Sequence, residues 1–187
     1  MRILRNRAGR ARRFTVAAVA VAAALGGSTA ANAAARGISV REQCATVAGH
    51  ISEKPGLLST ARPMNAVLRA TTTGCSDPFT GPSAGDGSFT AALKGKVRLA
   101  AENFSGTFTI RWPAGSGLNP STGTLTVTES AGIETVNGTV TAGALAGSPI
   151  HLAFRTTAST GMGTQRHPVT GQAFASTKPL QLTETDD

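Results

Sequence analysis

The sequence contains no tyrosine and only one tryptophan among its 187 residues. Flat sugar-binding surfaces use tyrosine and tryptophan rings, which combine an apolar face with a polar edge. The single tryptophan, Trp112, follows the alternation of Phe104, Phe108 and Ile110, which predicts a core position. The composition therefore argues against a carbohydrate-binding face, and the scarcity of aromatic residues argues against single-stranded nucleic acid as a ligand.

Acidic residues are also few, ten against eighteen lysines and arginines, which gives a formal net charge of +8. Six of the arginines lie within the first thirteen positions, and without them twelve basic residues face ten acidic ones. The remaining excess, +2, is too small to predict a nucleic-acid-binding domain.

No hydrophobic run reaches the roughly 20 residues that a membrane-spanning helix needs. The apolar run Phe14–Leu25 follows an arginine-rich stretch and precedes Ala31-Asn32-Ala33, which matches the A-x-A cleavage pattern. This order predicts that residues 1–33 are a signal peptide and that residues 34–187 form a single secreted, extracellular domain. A retained membrane anchor is the weaker alternative, and Arg12-Arg13-Phe14 leaves the twin-arginine export route open.

Cysteine is limited to two residues, Cys44 and Cys75. An oxidising compartment favours a disulfide between them, whereas a redox pair or a metal site usually shows a C-x-x-C spacing or a nearby histidine. The sequence has neither feature here, so we predict a structural disulfide.

Helix signals are almost absent after residue 33, and the dominant period is two. From Phe89 to Leu99, apolar residues or glycine alternate with polar and basic residues, with Ala92 as the exception. The run from Phe104 to Trp112 alternates in the same way after a short polar link, which predicts an antiparallel hairpin.

Further strands are predicted wherever alternation lies between glycine- and proline-rich breaks. Asn137-Gly138 is either a tight turn or a bulge within one long strand, and the turn residues already present at 130–132 favour the bulge. About seven to nine strands of this kind predict an all-β antiparallel sandwich or a small barrel. Besides the two strands of the hairpin, the predicted strands are 44–52, 65–73, 123–129, 133–142, 148–157 and a last strand or pair over 171–183.

The arginine-rich leader, the single early cysteine pair and threonine-rich segments such as 123–128 and 138–147 carry a resemblance. With these features the chain resembles the small secreted β proteins of high-GC Gram-positive bacteria. The resemblance implies a compartment and a fold class, and it supplies no catalytic residues.

The sequence offers only weak candidates for catalytic residues. Gly81-Pro82-Ser83-Ala84-Gly85 matches the G-x-S-x-G pattern, but the serine of that motif needs a following helix, and none is predicted here. Glu129 and Glu134 flank one turn and resemble a glycosidase acid pair, although solvated charges are the usual finding at a hairpin end.

The three histidines show no local metal-binding pair. His50 and His151 alternate against the apolar residues of their strands, and His167 precedes a proline in a loop. All three are therefore expected at the surface. The sequence predicts no catalytic set, no metal site and no cofactor.

The outer face of the predicted hairpin is the candidate binding surface. Lys94, Lys96 and Arg98 project from one strand, and Arg111 projects from the other. We expect them to be direct or diagonal neighbours at about 5 to 8 Å, which would make one cationic stripe. Such a stripe suits an anionic cell-envelope polymer or an acidic protein, although it also resembles a solvated sheet face that discourages aggregation.

These features predict a secreted, non-enzymatic β module with a binding or structural role at or outside the cell envelope. The alternative is an extracellular hydrolase whose site is assembled from dispersed polar residues. A histidine, a carboxylate and a hydroxyl in one concave pocket would favour the hydrolase.

Overall fold

The computed structural model describes residues 38–77 and 83–185, and the signal peptide predicted for residues 1–33 lies outside them. The described chain is all-β, with one turn of 3-10 helix at Ala114–Ser116. The strands are β1 (Ile38–Leu57), β2 (Arg62–Ser76), β3 (Ser88–Val97), β4 (Asn103–Arg111), β5 (Ser121–Ser130), β6 (Ile133–Ala142), β7 (Pro149–Thr160), β8 (Val169–Ser176) and β9 (Leu180–Thr185).

Eight strands form a closed antiparallel barrel. Strands β2 to β8 follow one another around the wall, and β1 joins β8 on one side and β2 on the other. Of the two architectures that the strand pattern left open, the barrel is therefore the correct one.

The ninth strand extends the eighth along the same edge of β1. The segment Ala48–Leu57 of β1 pairs with β8, whereas Ile38–Cys44 pairs with β9. Strand β7 likewise contacts both, β8 through Phe154–Thr160 and β9 through Ile150 and His151. The 20-residue strand β1 thus connects all parts of the closure.

Alternation decides what fills the barrel, because successive side chains of a strand point to opposite faces. The apolar positions of every strand are buried in one cluster, which includes Trp112 as predicted. Rings of Phe89 and Phe108 stack with centroids 5.6 Å apart, and those of Phe154 and Phe174 lie 4.3 Å apart.

The predicted hairpin is confirmed as β3 and β4, in the register Phe89 opposite Ile110. Residues 133–142 form one strand, but Asn137 and Gly138 continue its register without the expected bulge. The irregularity of this pair lies instead where Thr122 pairs with Ala142. Glycine is needed at 138 because a Cβ there would lie 2.5 Å from the Thr124 carbonyl oxygen.

The predicted disulfide joins Cys44 to Cys75, which lie opposite each other in the β1–β2 ladder. Nearby, the buried Glu42 accepts a hydrogen bond from the Ala84 amide at 3.0 Å. The Ser83 hydroxyl lies 2.9 Å from Glu42 Oε1 and 2.8 Å from the Cys75 carbonyl oxygen, either of which can accept its hydrogen. The disulfide therefore joins β1 to β2, and Glu42 holds the β2–β3 connection against the wall of the barrel.

Removing the disulfide with Cys44→Ala and Cys75→Ala should lower the free energy of unfolding by about 3 to 4 kcal/mol, because it releases a loop of 31 residues in the unfolded chain. Urea denaturation measures this loss. The matched control is Thr46→Ala with Thr73→Ala, an exposed pair on the same two strands, which should cost less than about 1 kcal/mol. Equal losses in both variants would contradict a stabilising role for the disulfide.

Candidate functional site

Three buried glutamates lie inside one end of the barrel. Strand β1 provides Glu53, β6 provides Glu134, and Glu102 immediately precedes β4. Their side chains are 2%, 4% and 5% exposed respectively. We call these three residues the acidic cluster, and the end that holds the β1–β2, β3–β4, β5–β6 and β7–β8 turns the acidic end.

Alternation explains how carboxylates reach the interior. Each glutamate occupies a position at which its own strand otherwise buries an apolar side chain. The corresponding pairs are Glu53 with Ile51, Glu102 with Phe104, and Glu134 with Val136. The alternation of each strand therefore carried this signal. The expectation that Glu134 is a solvated charge at a hairpin end was wrong, because its position in β6 points into the barrel.

Gln172 on β8 connects two members of the cluster. Its amide nitrogen donates to Glu53 Oε1 at 2.9 Å and to Glu102 Oε1 at 3.0 Å. An amide nitrogen carries two hydrogens, so both are used. The amide oxygen of Gln172 accepts from the Thr156 hydroxyl at 2.9 Å.

Thr156 lies between Gln172 and Glu134. Its Oγ1 is 2.9 Å from Gln172 Oε1 and 3.2 Å from Glu134 Oε1, and its single hydrogen can be donated to only one of these two oxygens at a time. Thr156 therefore connects Glu134 to the hydrogen-bond network of Gln172.

Burial also favours the neutral form of these groups. Desolvation raises the pKa of Glu53 to about 7, and the hydrogen bond from Gln172 opposes it. Desolvation raises the pKa of Glu102 to about 7 as well, helped by the charges of Glu53, Glu134 and Glu129. Desolvation likewise raises the pKa of Glu134.

A cleft of about 410 Å³ opens at the acidic end beside this cluster. Glu102, Glu134 and the half-buried Glu129 line it, together with the exposed residue Thr156. Its rim consists of the β3–β4 and β5–β6 turns and includes Leu99. We call this feature the acidic cleft. It combines carboxyl groups, which can hold or transfer a proton near neutral pH, with a surface that a small ligand can reach.

The glutamates of the cluster do not converge on a metal site. In the described part of the chain, Glu42, Cys44 and Cys75 form the one group of three whose ligand atoms all lie within 4.8 Å of one another. Both of those sulfur atoms belong to the disulfide. The geometry therefore provides no thiolate ligands there and no converging oxygen set in the acidic cluster.

The four predicted cations are all exposed, but they do not form one stripe. Arg111 lies opposite Ser88, whereas Lys94 lies opposite Ser105, so Arg111 and Lys94 are separated by about 20 Å along the strands. Arg98 lies beyond the end of β3, in a bridge with Ala101. The expectation that all four are neighbours was wrong, because the hairpin register separates Arg111 from the lysines.

Other strands supply cations that the hairpin alone did not reveal. Lys54 on β1 and Lys94 on β3 both lie beside Asn65 of β2. Arg69 of β2 lies opposite Thr90 and shares a shallow groove of about 400 Å³ with Arg111. We define the basic face as the exposed residues Lys54, Arg69, Lys94, Lys96 and Arg111.

The histidines and Ser83, the other candidate residues of the sequence, belong neither to the acidic cleft nor to the basic face. His50, His151 and His167 are exposed as predicted, and His151 Nδ1 lies 2.8 Å from Asn137 Oδ1. Ser83 lies in the connection before β3 and is followed by no helix, so the strand-to-helix turn of the G-x-S-x-G motif is missing. Among the described residues, no histidine lines the acidic cleft.

Comparisons with protein-family models, with curated proteins and with solved structures found no match to this chain. Within residues 38–77 and 83–185, no helix has the length and hydrophobicity that crossing a membrane requires. Functional inference therefore depends on the geometry of the barrel itself.

The pKa shifts predict how stability depends on pH. Between the ordinary value of 4.5 and about 7, folded Glu102 keeps a proton that the unfolded chain loses, so stability falls as pH rises through this range. Glu102→Gln removes the part of this loss that Glu102 causes, while Glu53 and Glu134 still titrate in the variant. At pH 8 the variant should be more stable than the unchanged protein by about 2 to 3 kcal/mol, and at pH 4 the two should be similar.

Urea denaturation at a series of pH values measures this difference. Asp86→Asn is the control, since Asp86 accepts from the Cys75 amide at the opposite end and asparagine keeps an acceptor oxygen. A parallel decline of stability in the protein and in Glu102→Gln would show that Glu102 is not the group that titrates.

Proposed function

We propose that this protein is a secreted, non-enzymatic binding module whose basic face binds an anionic polymer of the cell envelope. The observation that carries the proposal is the absence of exposed acidic side chains on strands β1 to β4 in the described part of the chain. These strands contain two acidic residues, Glu42 and Glu53, and both are buried. The basic face therefore has no neutralising partner on its own surface.

The spacing of the cations favours an extended ligand. Lys54 and Lys94 are two strands apart, which separates their backbones by about 10 Å. Arg69 of β2 and Arg111 of β4 form a second group, farther from the acidic end on the same face of the sheet. A small anion would contact one group, whereas a polymer with repeated negative charges would contact both and bind more tightly.

The threonine side chains between the cations support the same class of ligand. Thr90 and Thr109 lie opposite each other in the groove that Arg69 and Arg111 share. The Thr90 hydroxyl donates to the Thr109 carbonyl oxygen at 3.4 Å, whereas the Thr109 hydroxyl can donate to phosphate or carboxylate oxygens of a ligand. Binding of this kind depends on charge, so it should weaken as salt screens the attraction.

Retention on a carboxylate resin and on purified cell wall tests the basic face. Lys94→Gln with Lys96→Gln, and separately Arg69→Gln with Arg111→Gln, should each lower the salt concentration at which the protein elutes. The four changes together should abolish retention at about 0.15 M salt, where screening limits the attraction of the remaining charges.

Arg166→Gln with Lys178→Gln is the matched control, because both residues are exposed, lie outside the basic face and remove the same charge. Equal effects of the control and the paired variants would mean that net charge alone governs retention. Binding to acidic proteins but not to cell wall would replace the polymer by an acidic protein as the partner.

An extracellular hydrolase is the second candidate, and the presence of Glu102 and Glu134 in one cleft is the observation that favours it. One protonated and one ionised carboxyl group are the acid and base that glycoside hydrolysis requires. A panel of chromogenic glycosides and esters tests this function. Turnover that is lost in Glu134→Gln and kept in the basic-face variants would support it, and absence of turnover would leave the binding module.

A further inference from the structure

The acidic cleft contains buried carboxyl groups that form no ion pair with a basic side chain. Oε2 of Glu102 and Oε2 of Glu134 are buried and accept no hydrogen bond. Among the described residues, no lysine, arginine or histidine forms an ion pair with either carboxyl group. An unpaired buried carboxylate is costly, so each group either keeps a proton or receives a positive partner from outside.

The charges around the cleft favour a cation as that partner. Glu102, Glu129 and Glu134 line the cleft. Glu53 does not line it, but its negative charge acts on Glu102. Arg155 is the one basic residue that lines the cleft, and it is exposed. When the glutamates ionise, the cleft is therefore negative, and a positive ligand gains most from entering it.

The distances favour an organic cation over a metal ion. A bound metal needs several oxygen ligands at about 2 to 2.6 Å from one centre. The carboxyl oxygens of Glu53, Glu102 and Glu134 do not all lie within 4.8 Å of one another. An ammonium group has three N–H donors that separate carboxyl groups can accept one by one, so it does not require three oxygens to converge on one centre.

The rest of the cleft suits the apolar stem of such a ligand. Leu99, Ala100 and Ala131 form apolar parts of its lining. Its volume, about 410 Å³, falls in the range of small-ligand sites. The terminal torsion of a glutamate is soft, so each carboxyl group can turn its free oxygen toward an incoming donor.

We propose that the acidic cleft binds a small alkylammonium ligand, with Glu102 and Glu134 accepting hydrogen bonds from the ammonium group and Leu99 contacting the stem. Binding needs ionised carboxyl groups, so the ligand displaces the protons that burial favours on Glu102 and Glu134. The site is separate from the basic face and does not depend on the function proposed for it.

Calorimetric titration of the full protein with 1,4-diaminobutane tests the proposal, with 1,4-butanediol as the neutral analogue and calcium as the metal probe. The diamine should bind about tenfold more tightly at pH 8 than at pH 6. At pH 6 its binding should release protons, detected as a dependence of the heat on the ionisation enthalpy of the buffer. The diol and calcium should show no binding at this site.

Glu102→Gln and Glu134→Gln should each weaken diamine binding about tenfold or more, the loss expected for a charge-assisted hydrogen bond. Asp86→Asn, which removes one negative charge at the opposite end, should leave it unchanged. Circular dichroism establishes that each variant is folded.

Three results would overturn the proposal. The first is no diamine binding at about 10 mM by the folded protein, since such an affinity is too weak for a specific site. The second is diamine binding that both glutamine variants retain. The third is calcium binding that the same variants abolish, because it would make the cleft a metal site.

Discussion

The ladder of residue pairs that joins β1 to β2, from Gln43–Ser76 to Lys54–Asn65, closes the sheet into a barrel. Closure gives every strand one face that is enclosed and one that meets solvent. A polar residue at an inward position therefore cannot reach water without distorting its strand. The interior hydrogen bonds, the raised pKa values of the glutamates and the distribution of charge on the surface all follow from this constraint.

Closure also separates charges of opposite sign. Four of the ten acidic residues, Glu42, Glu53, Glu102 and Glu134, are buried. The five lysines and arginines of the basic face, which lie on β1 to β4, are all exposed. The exposed surface of these strands is thus more basic than the near-neutral composition of residues 34–187 indicates, and it owes this property to the burial of the carboxyl groups.

The buried carboxyl groups at the two ends of the barrel differ in how many hydrogen-bond donors surround them. Each oxygen of Glu42 lies within hydrogen-bond distance of a donor in the β2–β3 connection, the Ser83 hydroxyl or the Ala84 amide, and this contact holds that segment in place. At the acidic end, Gln172 and Thr156 supply fewer hydrogens than the three glutamates can accept, which leaves one oxygen of each without a partner. The first arrangement is complete as a structural contact, whereas the second gains from protons or from a ligand.

The sequence by itself determined the strands, the hairpin of β3 and β4, the disulfide partners and the outward position of the histidines. These features depend on alternation and on short-range spacing, which neighbouring residues encode. Only the tertiary structure decided between barrel and sandwich, separated Arg111 from Lys94, and brought Glu53, Glu102 and Glu134 together around Gln172. Register and closure pair residues that are far apart in the chain, as Gln172 and Glu53 are, and alternation within one strand carries no information about which distant strand lies beside it.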